Sequence, residues 1–129
     1  MRVLRFLATA AILACAPLAA SAQGLIASYM TYIGHEDLYN SNGQRLSEYW
    51  QIIRQDRANY HRFGIRHRGD DWDPFFADAN NRAVLEQLVR ASNPDPSTQR
   101  FIVRGNVPVF VEIYGNANRI TAVRVQVPG

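Results

Sequence analysis

Cysteine is nearly missing from this sequence. The one copy, Cys15, falls within the first 22 residues, so a chain beginning at Gln23 can form neither a disulfide nor a thiol nucleophile. Lysine is missing altogether. All 14 basic residues are arginine, so every fixed side-chain cation is a planar guanidinium that suits carboxylate or phosphate. Beyond the first 22 residues no apolar run approaches the length that spans a bilayer. Serine-hydrolase chemistry lacks its GxSxG elbow, and phosphate-cradling glycine loops are absent.

What stands at the start is an export signal. Arg2 and Arg5 supply a positive n-region, Leu4 to Ala16 an apolar h-region, and Ala20-Ser21-Ala22 a cleavage site of the A-x-A type. A lipoprotein reading of Ile12-Leu13-Ala14-Cys15 is weaker, because leucine before the alanine suits that box poorly. The expectation is a periplasmic or secreted protein, cleaved after Ala22, with residues 23–129 forming one domain large enough to bury a core. Arg2 and Arg5 depart with the leader. That leaves 12 arginines against 11 Asp plus Glu, and the net charge falls from +3 to +1. So small an excess, on an exported chain, argues against a nucleic-acid partner.

Most of the unusual chemistry lies between Leu46 and Pro74, which holds five arginines, two histidines, four aspartates and both tryptophans. Its first half predicts a helix over 48–63. Leu46, Tyr49, Ile53 and Tyr60 fall in a sector about 60° wide, and Gly64 suits a left-handed stop. Ser47, or a capping box of Ser41 and Gln44, would start it. Arg57 projects about 20° from Leu46, inside the apolar sector. Trp50, Arg54, Arg57 and His61 run beside one another at spacings of three and four. On a structural account Arg57 lays its stem on the core or pairs with a carboxylate. On a recognition account the four side chains form an anion-reading strip.

The remaining elements follow in order. Residues 25–33 predict a strand, 34–45 a loop, and 79–91 a second helix capped by Asp78. Asp73-Pro74 predicts the start of a short helix through Phe75 and Phe76. Residues 100–104, 109–114 and 119–127 predict a three-stranded meander. The expected fold is α+β, two main helices on a small antiparallel sheet made of that meander plus an N-terminal strand.

Two motifs in the 34–45 loop fail. His35-Glu36 opens like HExxH, but Tyr39 stands where the second zinc ligand belongs. Asp37, Asn40, Asn42, Gly43 and Glu48 resemble an EF-hand loop with its glycine one place late. No cofactor or tightly bound metal is expected. Arg68-Gly69-Asp70 spells an adhesion tripeptide, too short to carry weight. The preferred function is a non-catalytic, inhibitor-like or binding module for an anionic or protein partner of the envelope. Its site would be Trp50, Arg54, Arg57 and His61 together with Arg66, His67, Asp70 and Trp72 of the following loop. The alternative is a small envelope enzyme or metal-dependent hydrolase using His61, His67 and the aspartates at 70, 71 and 73, should these share one concave pocket.

Overall fold

Alternation along β2 (Val107–Asn116) sets up the core. Val107, Val109, Val111 and Ile113 are buried while Pro108, Phe110, Glu112 and Tyr114 face the other way. The strand is the centre of a three-stranded antiparallel sheet in a computed structural model that describes residues 24–129. β1 (Gly24–Ile33) pairs with it on one side, Tyr29 opposite Val111, and β3 (Arg119–Gln126) on the other, Val125 opposite Val111. Tyr29, Thr31 and Ile33 of β1, and Val123 and Val125 of β3, join the same buried face.

Three helices cover that face: α1 (Tyr49–Ala58), α2 (Ala79–Ser92) and α3 (Pro96–Arg104). From α1 come Ile52 and Ile53, from α2 Leu85 and Val89, from α3 Ile102, all fully buried. The α+β arrangement is therefore as expected, a helical layer on a small sheet. The expected export leader, residues 1–22, lies outside the described residues. Among the described residues no helix is long and apolar enough to cross a membrane.

Local signals account for most boundaries. Asp78 accepts from the amides of Asn80 and Asn81 and starts α2. After α1 the chain makes a π turn over Asn59–Phe63 and stops at Gly64, whose φ of 67° is left-handed, while the Ile65 amide donates back to the Asn59 carbonyl at 2.9 Å. Neither Ser47 nor a Ser41–Gln44 box starts α1. Glu48 is its cap residue, without a side-chain bond, and Asn40 instead organises a turn by accepting from the amides of Asn42 and Gln44.

Three local expectations are corrected. Residues 100–104 are the end of helix α3. Asp95 caps it through the amides of Ser97 and Thr98, and Pro96 occupies the first turn, so the run Phe101-Ile102-Val103 is helical despite its β-forming residues. Among the described residues the sheet therefore has three strands instead of four, with β1 beside β2. Asp73-Pro74 starts no helix. The Asp73 carboxylate does accept from the Phe75 and Phe76 amides, but Asp78 opens α2 too soon for a helix to propagate between them.

Candidate functional site

The largest fully buried side chain is an arginine. Arg57, with no exposed surface, enters the core from the inner face of α1. Its guanidinium is satisfied on every side. Nε donates to Asp56 Oδ2 at 2.8 Å, Nη1 to Asp73 Oδ2 at 2.9 Å and to the Asp71 carbonyl at 3.0 Å, and Nη2 to Thr31 Oγ1 at 3.0 Å. The rings of Tyr29 and Tyr60 stand 4.2 and 4.6 Å from its Cζ. A buried cation holding two carboxylates is strongly bound to its place.

The network continues in both directions. At one end His61 Nε2 meets Asp73 Oδ2 at 2.6 Å, and the His61 side chain is only 6% exposed. At the other, the Thr31 hydroxyl lies 2.6 Å from Asp56 Oδ1 and 3.1 Å from Asp70 Oδ1. Asp70 accepts from the Tyr32 amide at 2.7 Å through Oδ1 and from the His67 amide at 2.7 Å through Oδ2. The His67 ring reaches Glu36 at 2.7 Å, and its Nδ1 lies 3.6 Å from both Asp37 and Asp70. Asp37 in turn accepts from the Gly34 amide and from Asn59 Nδ2. Gly34 is required there: a Cβ on it would come within 2.3 Å of His67 Nε2.

This chain of bonds fastens the 66–73 loop along the outer edge of β1. The Asp71 amide donates to the Met30 carbonyl at 2.8 Å, and the Met30 amide to Asp71 Oδ2 at 2.9 Å. With Asp70 on the Tyr32 amide, two successive outward-facing positions of an edge strand are closed by aspartates. The adhesion-like tripeptide is thereby taken apart, because the Asp70 side chain, 2% exposed, points inward.

The eight side chains expected to form one site do not lie together. Arg57 and His61 belong to the buried network with Asp70, and His67 to its margin. Trp50 packs against the core with the Arg90 guanidinium over its ring at 4.8 Å, and Arg54 pairs with Glu86 at 2.5 Å. Arg66 stacks on Tyr60 at 4.2 Å, and Trp72 stands 66% exposed. His61 and His67 sit at opposite ends of the network, and five surface cavities among the described residues are lined by neither of them nor by Asp70, Asp71 or Asp73. Among the described residues no three His, Cys, Asp or Glu side chains are grouped to hold a metal ion. Thr31, Asp37, Asp56 and Glu36 were not visible as network members in the sequence. The apolar setting of Arg57 is the one signal in the sequence, and it points to a stem laid on the core or to a carboxylate partner without saying which.

Burial and neighbours pull the acids in opposite directions. Burial, reinforced by the charge of Asp56, pushes Asp37 from 3.8 up to about 7. Burial also raises Asp56, against the pull of Arg57. For Asp73 burial is outweighed by bonds from His61, the Phe76 and Phe75 amides and Arg57, which hold it below the ordinary carboxylate value. The hydrogen bond from His67 lowers exposed Glu36. For His67 burial opposes the charge, yet Glu36, Asp37 and Asp70 raise it above the ordinary histidine value.

The stability profile follows from these signs. Groups raised by folding, namely Asp37, Asp56 and His67, contribute stability fully present below their unfolded values and lost as pH rises through the folded ones. Groups lowered by folding, Asp73 and Glu36, contribute stability present above about pH 4 and lost in acid. The melting temperature is expected to fall between pH 5 and pH 8, and the slope should shrink in His67→Gln. A melting temperature that rises steadily from pH 5 to pH 8 would contradict this assignment.

No family model, curated protein or solved structure matches the chain.

Proposed function

We propose that this chain is a small exported binding module, non-catalytic, that recognises an anionic or protein partner through the rim of the 66–72 loop. One observation carries the reading: Trp72 stands two-thirds exposed beside a backbone that Asp70, Asp71 and Arg57 fasten to β1 and α1. An exposed tryptophan on a fixed loop presents a large apolar surface at little cost in lost freedom. Arg66 and Arg68 are exposed on the same loop. Asp70 and Asp73 point inward, and exposed Asp71 is engaged by the Met30 amide, so the free side chains of the rim are basic and aromatic. Export rests on the leader read from the sequence.

The catalytic alternative has less support. Asp70 is held by the Tyr32 and His67 amides, Asp73 by Arg57 and the Phe75 and Phe76 amides, and His61 by Asp73, so each is engaged within the fold instead of being free to exchange a proton with a bound substrate.

Retention on an immobilised acidic polymer such as heparin tests the reading. The wild type should be retained at low salt, and Arg68→Ala and Trp72→Ala should each elute earlier with unchanged melting temperatures. Surface charges contribute only about 0–1 kcal/mol apiece, so the shift is a modest one in salt. Arg119→Ala, on the far hairpin, should elute as wild type. An Arg68→Ala/Trp72→Ala double variant that co-elutes with wild type would overturn the reading.

A further inference from the structure

A second basic site lies between α1 and the opening turns of α2. A cavity of about 440 Å³ is lined there by Arg54, Arg62 and Arg82, with Glu86 as its only acidic lining residue. Glu86 is spent on Arg54. Arg82 is buried, yet among the described residues it has no carboxylate within ion-pair distance; its Nη1 donates to the carbonyls of Phe76 and Ala77 at 2.9 and 3.0 Å. Arg62 has no ion-pair partner among the described residues either, and its guanidinium lies over the Phe63 ring at 5.0 Å. The other two carboxylates that act on Arg82 are already engaged, Asp78 by the amides of Asn80 and Asn81, and Asp73 by Arg57 and His61. Burial and the positive charges of Arg62 and Arg54 lower the Arg82 guanidinium, the mark of cations brought together without enough counter-charge.

Burying one guanidinium and adding a second beside it costs free energy unless an anion completes the set. Three cations against one carboxylate leave an excess of two positive charges, which matches the charge of about −1.5 to −2 on a phosphate monoester at neutral pH. Arginine forks also suit its tetrahedral oxygens. The rest of the wall includes the Ser41 hydroxyl and the Gln51 amide, which are partners for sugar-like hydroxyls, while Asn40 and Gln55 are engaged with Gln44 and Asn59. We propose that this cavity binds a phosphate monoester carried on a polyhydroxylated body, with Arg62 and Arg82 holding the phosphate. Arg66, Arg68 and Trp72 do not line it, so the site goes beyond the loop reading and stands or falls apart from it.

Calorimetric titration with glucose 6-phosphate, with glucose and with inorganic phosphate tests the proposal. The ester should bind and be displaced by inorganic phosphate, and glucose should bind at least about tenfold more weakly. Loss of a charged hydrogen bond predicts a ten- to hundredfold weaker ester for Arg62→Gln, roughly. Because the Arg62 side chain is exposed and makes no hydrogen bond among the described residues, that variant should melt as wild type. Arg124→Gln, on the open face of the sheet, should bind as wild type. No saturable binding of the ester at millimolar concentration, equal binding of ester and glucose, or undiminished binding by Arg62→Gln would each overturn it.

Discussion

Replacing Arg57 by leucine is expected to destabilise the fold by about 3–5 kcal/mol, because Asp56 and Asp73 would remain buried without their cation. Leucine fits the apolar sector of α1, so the loss would come from the orphaned carboxylates and from the Asp71 carbonyl and Thr31 hydroxyl that the guanidinium now satisfies. For a domain of this size that corresponds to a fall of roughly 15–25 °C in melting temperature. Arg57→Lys should also lose much of it. One ammonium on a flexible stem cannot reach Asp56, Asp73, Thr31 and the Asp71 carbonyl together, nor lie flat between Tyr29 and Tyr60. Arg54→Ala, whose pair with Glu86 is partly exposed, should cost no more than about 1 kcal/mol. Thermal melts of the three variants decide it. A wild-type melt for Arg57→Leu beside a clear loss for Arg54→Ala would mean that the inner and outer faces of α1 had been exchanged.

Asp73→Ala is expected to be comparably damaging, at about 3–5 kcal/mol. One carboxylate does two jobs. Oδ2 receives both Arg57 and His61, and Oδ1 receives the amides of Phe75 and Phe76. Removing it takes one of the two carboxylates from the buried guanidinium and releases the turn that seats Phe76 in the core, where Phe76 packs edge-on against Tyr29. Asp73→Asn keeps an acceptor for the two amides and should lose less, since only the side facing Arg57 and His61 is then mismatched. Denaturant midpoints of the two variants separate these contributions. Equal losses for Asn and Ala would show that the amide bonds count for little. A midpoint for Asp73→Ala within the range of an ordinary surface substitution, about 0.5 kcal/mol, would remove Asp73 from the network.

Local patterns made much of the fold legible. The apolar sector of α1, the aspartate cap of α2 and the alternation in β2 and β3 each depend on neighbours within a few residues, and each gave the element found. Helix α3 is not legible from Phe101, Ile102 and Val103, which favour strands; its start lies in the Asp95 cap and Pro96. The same Asp-Pro signal at Asp73 yields only a turn, because Asp78 opens α2 before a helix can propagate from it. The site divides likewise. That Arg57 belonged inside was readable from its position on the wheel. That Thr31 and Asp73 complete it was not, because they come from 26 and 16 residues away. Arg82 left one unread signal, a cation near the start of a helix, where the dipole disfavours it.

The central claim is that the buried Arg57 network fixes the 66–76 segment against β1 and α1, so that the loop is a rigid platform. Native-state amide exchange measures this directly at the amides of Met30, Tyr32, His67, Phe75 and Phe76, each bonded to a network aspartate. Tyr32 and Phe76 should exchange only on global unfolding, as slowly as the core strand β2, and both should become fast in Arg57→Leu under conditions where β2 stays protected. Exchange of Tyr32 and Phe76 at the rate of an unprotected loop in the wild type would contradict the account.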